Sequence, residues 1–298
     1  MLVIVIAIVA ALFGSNYLIN RHPPATKQVA PSNTTEGKKI DFSRIAEQVY
    51  PAQGFVLPVK WSNAAKRLVD YGALNVSFMA NTLYSANQPL TNEELEVLNG
   101  SSDNNVTLNS SNGIFTLYVL WALGINNKNK IISNGPIMDY GNPYQYASTG
   151  GYEQLGKLQL GNLSIINFNG TEQSIIETVA SDVYRPCCDN SAIFPDCNHG
   201  AAQLGLIELM ASQGSNATEI YGAIKEFDSF YYAQQYFDDA LFFNITQNKT
   251  WNEIPANQIL GYDFSSATGT SNVYRYLLSS NALVDMRQGS SGACGVVQ

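Results

Sequence analysis

Histidine is nearly absent from this chain, and charged side chains are scarce. Only His22 and His199 occur among the 298 residues, and Asp, Glu, Lys and Arg together make up 13%, about half the usual share. A Ser-His-Asp triad has almost no histidine to use, and no G-x-S-x-G or H-E-x-x-H motif is present. The nucleotide-binding patterns G-x-x-x-x-G-K-[ST] and G-x-G-x-x-G are missing too. These absences exclude the hydrolases, zinc proteases and nucleotide-binding enzymes that such motifs identify.

Basic residues are the scarcer of the two charged classes. Lys and Arg number 16 against 24 Asp and Glu, which gives a net charge of −8 and an isoelectric point near 4.7. A nucleic-acid-binding surface needs clustered Lys and Arg to neutralise phosphates. The sequence therefore predicts no nucleic-acid partner.

The first residues form a hydrophobic segment. Residues 2–13 are an unbroken apolar run of twelve, and Leu18 and Ile19 extend it loosely. The run has the length of a signal-peptide core, and the extended segment approaches the roughly 20 residues of a bilayer span. No clean Ala-x-Ala cleavage site follows, which favours an uncleaved anchor. We predict a transmembrane anchor or signal peptide at 1–20 and a polar linker at 21–40.

Two patterns disagree about which side of the membrane the rest of the chain occupies. Arg21, His22 and Lys27 follow the segment, and the positive-inside rule would then leave the domain in the cytoplasm. Against this, about four Asn-x-Ser/Thr sequons are expected by chance, and ten are present. N-glycosylation requires export. We predict an extracytoplasmic, glycosylated domain, held at the cell membrane or secreted if the segment is cleaved. The sequon residues are Asn33, Asn75, Asn99, Asn105, Asn109, Asn162, Asn169, Asn216, Asn244 and Asn248.

The remaining chain predicts a mainly α-helical domain over 41–288 and a flexible tail over 289–298. Thr91 and Glu94 fit a capping box at the start of a short helix. Residues 114–123 are apolar on every side, which is typical of a buried helix. Helical stripes recur over 201–211 and 220–231, and the one charged residue of the first, Glu208, is expected to mark its solvent face.

Three of the four cysteines and one histidine lie within thirteen residues: Cys187, Cys188, Cys197 and His199. Asp196 precedes a helical pattern and is a plausible N-cap, which would place Cys197 in the first turn. The helix dipole would then lower the Cys197 pKa. A loop folding back could bring Cys187 or Cys188 beside Cys197 and His199. A Cys₃His or Cys₂His set of these residues suits a soft or borderline ion, and Zn²⁺ or Cu(I) are the natural choices.

Two other interpretations of the cysteines remain open. An exported domain with four cysteines should form disulfides, and Cys294 could then fasten the tail. The protein would be a stapled, non-catalytic surface protein that contacts other envelope proteins. Alternatively, the vicinal pair Cys187 and Cys188 could exchange with another thiol as a redox centre.

Aromatic residues are concentrated after the cysteine helix, with eight in the seventeen positions 227–243. Core packing is the ordinary use of such residues. They could also wall a pocket for a flat cofactor, with His199 as the one axial histidine within the domain.

The most distinctive runs are Tyr-Arg-Pro-Cys-Cys at 184–188 and Phe-Pro-Asp-Cys-Asn-His-Gly at 194–200. Together with Ala-Ser-Thr-Gly-Gly at 147–151, they resemble a group of uncharacterised exported or membrane-anchored microbial proteins. The resemblance covers most of residues 55–270. It implies an exported or anchored domain and supplies no activity.

Overall fold

The computed structural model describes residues 40–139, 155–280 and 282. The predicted anchor at 1–20, nearly all of the linker and the tail at 289–298 lie outside the described residues. Among the residues that are described, no helix is both long and apolar enough to cross a membrane.

The described residues form thirteen α-helices, two short 3₁₀ turns and one two-stranded sheet. The strands are β1 (Phe55–Lys60) and β2 (Asn105–Leu108), and the 3₁₀ turns are Pro136–Asp139 and Trp251–Glu253. The helices are α1 (Phe42–Val49), α2 (Ala64–Asp70), α3 (Val76–Ser85), α4 (Asn92–Asn99), α5 (Gly113–Asn126), α6 (Lys130–Ser133), α7 (Gly170–Asp182), α8 (Asn198–Ser212), α9 (Ala217–Tyr231), α10 (Ala233–Gln247), α11 (Ala256–Ile259), α12 (Tyr262–Ser265) and α13 (Ala267–Ser279).

The expected mainly helical fold is confirmed for this part of the chain, and so are its local signals. Thr91 caps α4 in a reciprocal capping box with Glu94. The apolar run becomes α5, which is buried along nearly its whole length. The small sheet was not predicted, because β1 contains a proline and β2 has only four residues. The two strands pair antiparallel, with Phe55 opposite Leu108.

Helices α5 and α8 pack closely at the centre of the domain. A Cβ on Gly124 would collide with the Ala201 carbonyl of α8, and one on Gly205 would collide with the Leu120 carbonyl of α5. Only glycine permits this separation of the two backbones. Helices α7 and α9 cover other sides of α8, so α8 has almost no exposed surface.

This central position overturns the expectation for Glu208. The sequence indicated a solvent-facing residue, but the side chain is fully buried. Its carboxyl oxygens accept hydrogen bonds from the Asn127 side chain at 3.1 Å and from the Asn129 side chain at 2.6 Å. The expectation failed because a helix that is covered on all sides has no solvent face for a charged residue to mark.

Candidate functional site

Helix α8 begins at a cysteine. Cys197 is the N-cap residue, with extended backbone angles, and its Sγ accepts a hydrogen bond from the Gly200 amide at 3.4 Å. The predicted N-cap, Asp196, was wrong by one residue. Its carboxylate turns away from the helix and pairs with Arg185.

The three described cysteines lie together in front of this helix end. Cys187 Sγ is 3.8 Å from Cys197 Sγ, and the Cys187 and Cys188 thiols also interact by a hydrogen bond. All three are free thiols and are half-buried. Cys187 thus occupies the middle position and contacts both of its neighbours. Cys294 lies outside the described residues, so the predicted link to the tail stays a prediction.

Arg185 organises the loop that carries these thiols. Its side chain is fully buried, and its Nε donates to Cys197 Sγ at 3.1 Å. The Nη atoms donate to the carbonyls of Asn190 and Phe194 and to the Asp196 carboxylate. The N–H groups of the planar guanidinium therefore bind several residues of one loop and hold that loop around the Arg185 side chain.

Gly200 makes room for this guanidinium. A Cβ at this position would lie 2.5 Å from Arg185 Cζ, which is far inside van der Waals contact. The Gly in the Cys-Asn-His-Gly run is thus explained by packing of Arg185 on the first turn of α8.

The three thiols differ in acidity. The Cys188 pKa is lowered, first by the hydrogen bond from Cys187 and then, against the effect of burial, by the charge of Arg185. The Cys187 pKa is raised to about 11, mainly because that thiol gives its hydrogen bond to Cys188. The Cys197 pKa is raised well above its usual value, by its hydrogen bond to Cys187 and by burial. The expectation that the helix dipole makes Cys197 acidic was wrong, since its neighbours and its burial outweigh the Gly200 amide.

His199 is turned toward aromatic side chains. Its ring centroid lies 5.3 Å from that of Tyr231 and 5.1 Å from that of Tyr232. Burial, with a smaller effect of the Arg185 charge, lowers its pKa to about 4. The imidazole is therefore neutral at physiological pH and belongs to an aromatic core cluster.

A chain of polar groups continues inward from the thiol loop. The Gln203 amide of α8 donates to both carboxyl oxygens of Asp228 at 2.8 Å. One of those oxygens lies 3.0 Å from the Tyr236 hydroxyl, which is 2.7 Å from the Ser265 hydroxyl. Burial raises the Asp228 pKa to about 7, with the charges of Arg185 and Cys197 acting in opposite directions.

The expected metal site consists of Cys187, Cys188, Cys197 and His199. In the portion of the chain that is described, no group of three or more His, Cys, Asp or Glu side chains is placed to hold an ion. The three thiols converge, as the cysteine pattern suggested. The His199 imidazole takes part in the aromatic cluster, and a zinc or copper site remains a prediction.

The aromatic run of 227–243 mainly fills the core. Phe227, Tyr236 and Phe243 are fully buried, as the ordinary interpretation expects.

A cleft of about 430 Å³ borders the first half of α9 and contains Lys225. The Lys225 ammonium donates to the carbonyls of Trp251 and Ile254 and lies 4.0 Å from the Trp251 ring centroid. These contacts give Lys225 a structural role.

Arg185 and Asp228 are the site residues that the sequence did not single out. Arg185 stands two residues before Cys187, and a lone arginine in an acidic, charge-poor chain is a usable signal. Asp228 lies 31 positions after Cys197 on another helix, and no pattern connects them.

No protein-family model, no curated protein and no solved structure matches this chain.

Proposed function

We propose that Cys187, Cys188 and Cys197 form a thiol–disulfide exchange site in an exported, membrane-anchored domain. The observation that carries the proposal is the 3.8 Å contact between Cys187 Sγ and Cys197 Sγ, beside the buried Arg185 guanidinium. Two sulfurs at van der Waals contact need only a small side-chain rotation to reach the 2.05 Å or so of a disulfide.

The order of the chemistry follows from acidity and position. Cys188 is the most acidic thiol, and its thiolate attacks a disulfide of a partner protein or a small molecule. A mixed disulfide forms and one partner sulfur leaves as thiolate. Cys187 then attacks the Cys188 sulfur and releases the second partner thiolate. Attack of Cys197 on the Cys187 sulfur frees Cys188 again and leaves the Cys187–Cys197 disulfide.

The electrons and protons of this exchange balance. Cys187 and Cys197 lose two electrons and two protons together, and the attacked disulfide gains them to become two thiols. Arg185 supports the step in which Cys197 must be a thiolate, because its Nε already donates to that sulfur. A cation beside a cysteine stabilises the thiolate over the thiol.

A soft metal ion is the second candidate. Zinc–sulfur bonds of about 2.3 Å place two sulfurs on one tetrahedral ion about 3.8 Å apart, and this is the separation found between Cys187 and Cys197. The buried positive charge of Arg185 beside Cys197 opposes a divalent cation at the same place. For this reason we favour thiol exchange over zinc or copper binding.

Exposure of the sequons supports an exported domain. Of the nine sequon asparagines within the described residues, none is buried: Asn75, Asn99, Asn162, Asn169, Asn216 and Asn248 are exposed, and Asn105, Asn109 and Asn244 are half-buried. Such positions are open to glycosylation. An extracytoplasmic location would also give the thiols an oxidising environment and disulfide-containing envelope proteins as partners.

The test is an equilibrium of the full-length chain with glutathione. The protein is produced in an export-competent host, kept in detergent, reduced, and mixed with oxidised glutathione. Mass spectrometry of peptides then follows which cysteines pair. We expect a reversible Cys187–Cys197 disulfide. A Cys188→Ser variant should form the same disulfide at least about tenfold more slowly, because the acidic entry thiol is lost. A Cys197→Ser variant should stop at the vicinal or mixed disulfide.

Two results would contradict the proposal. A Cys187–Cys197 bond that no glutathione ratio can reduce in the folded protein would mark a permanent structural staple. Stoichiometric zinc or copper in the reduced wild type, absent from Cys197→Ser, would instead establish the metal site.

A further inference from the structure

Asp228, Tyr236 and Ser265 form a buried oxygen chain that ends at the Ile259 carbonyl. The contacts are 3.0 Å from Asp228 to Tyr236, 2.7 Å from Tyr236 to Ser265 and 2.7 Å from Ser265 to Ile259. All four residues are fully buried. At these separations each pair of oxygens must share a hydrogen, since otherwise two lone pairs would face each other.

The hydrogens in this chain can be counted. Three contacts need three hydrogens, the hydroxyls of Tyr236 and Ser265 supply one each, and a carbonyl supplies none. The third hydrogen has one remaining source, the carboxyl group of Asp228. When Asp228 is ionised, this chain of oxygen atoms has one hydrogen too few, so two oxygens in one buried contact repel each other. With a neutral carboxyl group every contact is a hydrogen bond.

The carboxyl group is connected to the thiol loop. Gln203 Nε2 donates to both Asp228 oxygens and also approaches the Tyr184 carbonyl at 3.4 Å. Tyr184 immediately precedes Arg185, which donates to Cys197. The charges of Arg185 and Cys197 both act on Asp228. The charge of Arg185 therefore stabilises a negative charge on Asp228 and one on Cys197, while each of these two negative charges disfavours the other.

We propose that Asp228 carries a proton in the reduced protein and, by keeping or losing it, controls the ionisation of Cys197. A neutral Asp228 adds no negative charge near the Cys197 thiolate that Arg185 stabilises, and an ionised Asp228 disfavours that thiolate. Asp228 is thus a positioning residue that makes thiol exchange depend on pH near neutrality. The inference rests on the proposed exchange function.

The other groups around Asp228 do not replace it in this role. Tyr232, which lies between α9 and α10, and Tyr236 of α10 are titratable neighbours, and burial raises their pKa values well above 10. Asp239 lies beyond Tyr236, and burial raises its pKa as well. Arg185 stays charged throughout. Asp228 is the group of this set that burial moves into the neutral range.

The test compares Asp228→Asn with the wild type across pH in the glutathione assay, using the full-length chain. The amide supplies the missing hydrogen without being able to ionise, and the Gln203 carbonyl oxygen, which has no partner among the described groups, can turn to accept from it. Below about pH 6.5 we expect equal rates of Cys187–Cys197 formation. Above pH 7.5 the variant should be faster by about fivefold, the lower end of ordinary coupling between two sites.

A second variant and a spectrum keep the proposal testable if Asp228→Asn folds poorly. Tyr236→Phe removes the hydroxyl whose two contacts leave the oxygen chain one hydrogen short when Asp228 is ionised. Ionisation of Asp228 then becomes easier, so the break in the pH profile should move to lower pH. Infrared spectra of the reduced wild type should contain a protonated-carboxyl band that titrates near pH 7 and is missing in Asp228→Asn. Identical pH profiles in the wild type and both variants, or the absence of that band, would overturn the inference. A wild type that forms no Cys187–Cys197 disulfide would overturn the exchange function, while the infrared band would still report on Asp228.

Discussion

The two ends of helix α8 bury charged groups by different means. At the first turn, Arg185 meets a carboxylate, a thiol and two carbonyls that all come from its own loop. Eleven positions after Cys197, Glu208 meets two neutral amides, those of Asn127 and Asn129. Both charged side chains are fully buried.

The groups around Glu208 and those around Arg185 differ in their freedom to change chemically. The amides around Glu208 are fixed by further bonds: Asn127 accepts from the Ile165 and Ile166 amides, and Asn129 accepts from the Ile131 amide. Asn127, Asn129 and Glu208 are all buried. At the other end, half-buried thiols surround the guanidinium, and each can ionise or form a disulfide. We conclude that the first turn of α8 is its chemical end, where groups can react. The region around Glu208 is its structural end, where the buried groups hold the helix in place.

Removing Arg185 should have the largest effect. An Arg185→Met variant would remove the charged donor that the Asp196 carboxylate and the Asn190 and Phe194 carbonyls share. Breaking one side of a buried ion pair costs about 3–5 kcal/mol, and chemical denaturation would measure this loss. Arg275→Met is the matched control on exposed α13, where we expect a change within about 0.5 kcal/mol. Equal effects of the two substitutions would mean that Arg185 does not organise the loop.

His199 should make the same end of α8 sensitive to acid. Its folded-state pKa is lowered to about 4 from 6.5, so between these values the unfolded chain binds a proton that the folded chain excludes. Stability is then lost as pH falls from 6.5 to 4, by up to roughly 3 kcal/mol. His199→Phe keeps an aromatic ring and cannot titrate. The difference in unfolding free energy between the two proteins should change over this window, and a constant difference would refute the assignment.

Gly200 tests how tightly the guanidinium packs on α8. Gly200→Ala places a methyl group 2.5 Å from Arg185 Cζ, and overpacking of this kind costs about 1–3 kcal/mol. Gly222→Ala in α9 is the matched control, because no atom lies within 4 Å of its Cβ position. Helix propensity should make the control more stable by up to about 1 kcal/mol. Thermal unfolding distinguishes the two, and destabilisation of both alike would remove the special role of Gly200.

Local signals in the sequence predicted the helices well. They predicted the cysteines of the thiol site but not the residues that distant helices bring to it. The capping box at Thr91 and the apolar run of α5 depend on neighbours in the chain, so the pattern was sufficient. The convergence of Cys187, Cys188 and Cys197 also follows from a short loop. The burial of Glu208 and the contact between Asp228 and Gln203 depend on how distant helices pack, and no spacing records that.

Glu208→Gln should have the smallest effect and should sharpen the contrast between the two ends. The Asn127 and Asn129 amides are held in one orientation, so a Gln side chain would turn its own NH₂ toward one of their donors. One buried hydrogen bond is lost, at about 1–2 kcal/mol, while Glu96→Gln on the exposed face of α4 should change stability by no more than about 0.5 kcal/mol. Exchange of the thiols with glutathione should keep its rate and its pH profile in Glu208→Gln, because that carboxyl contacts neither the loop nor Arg185. A shifted profile would show that the two ends are coupled through α8, and the division into a chemical and a structural end would then be wrong.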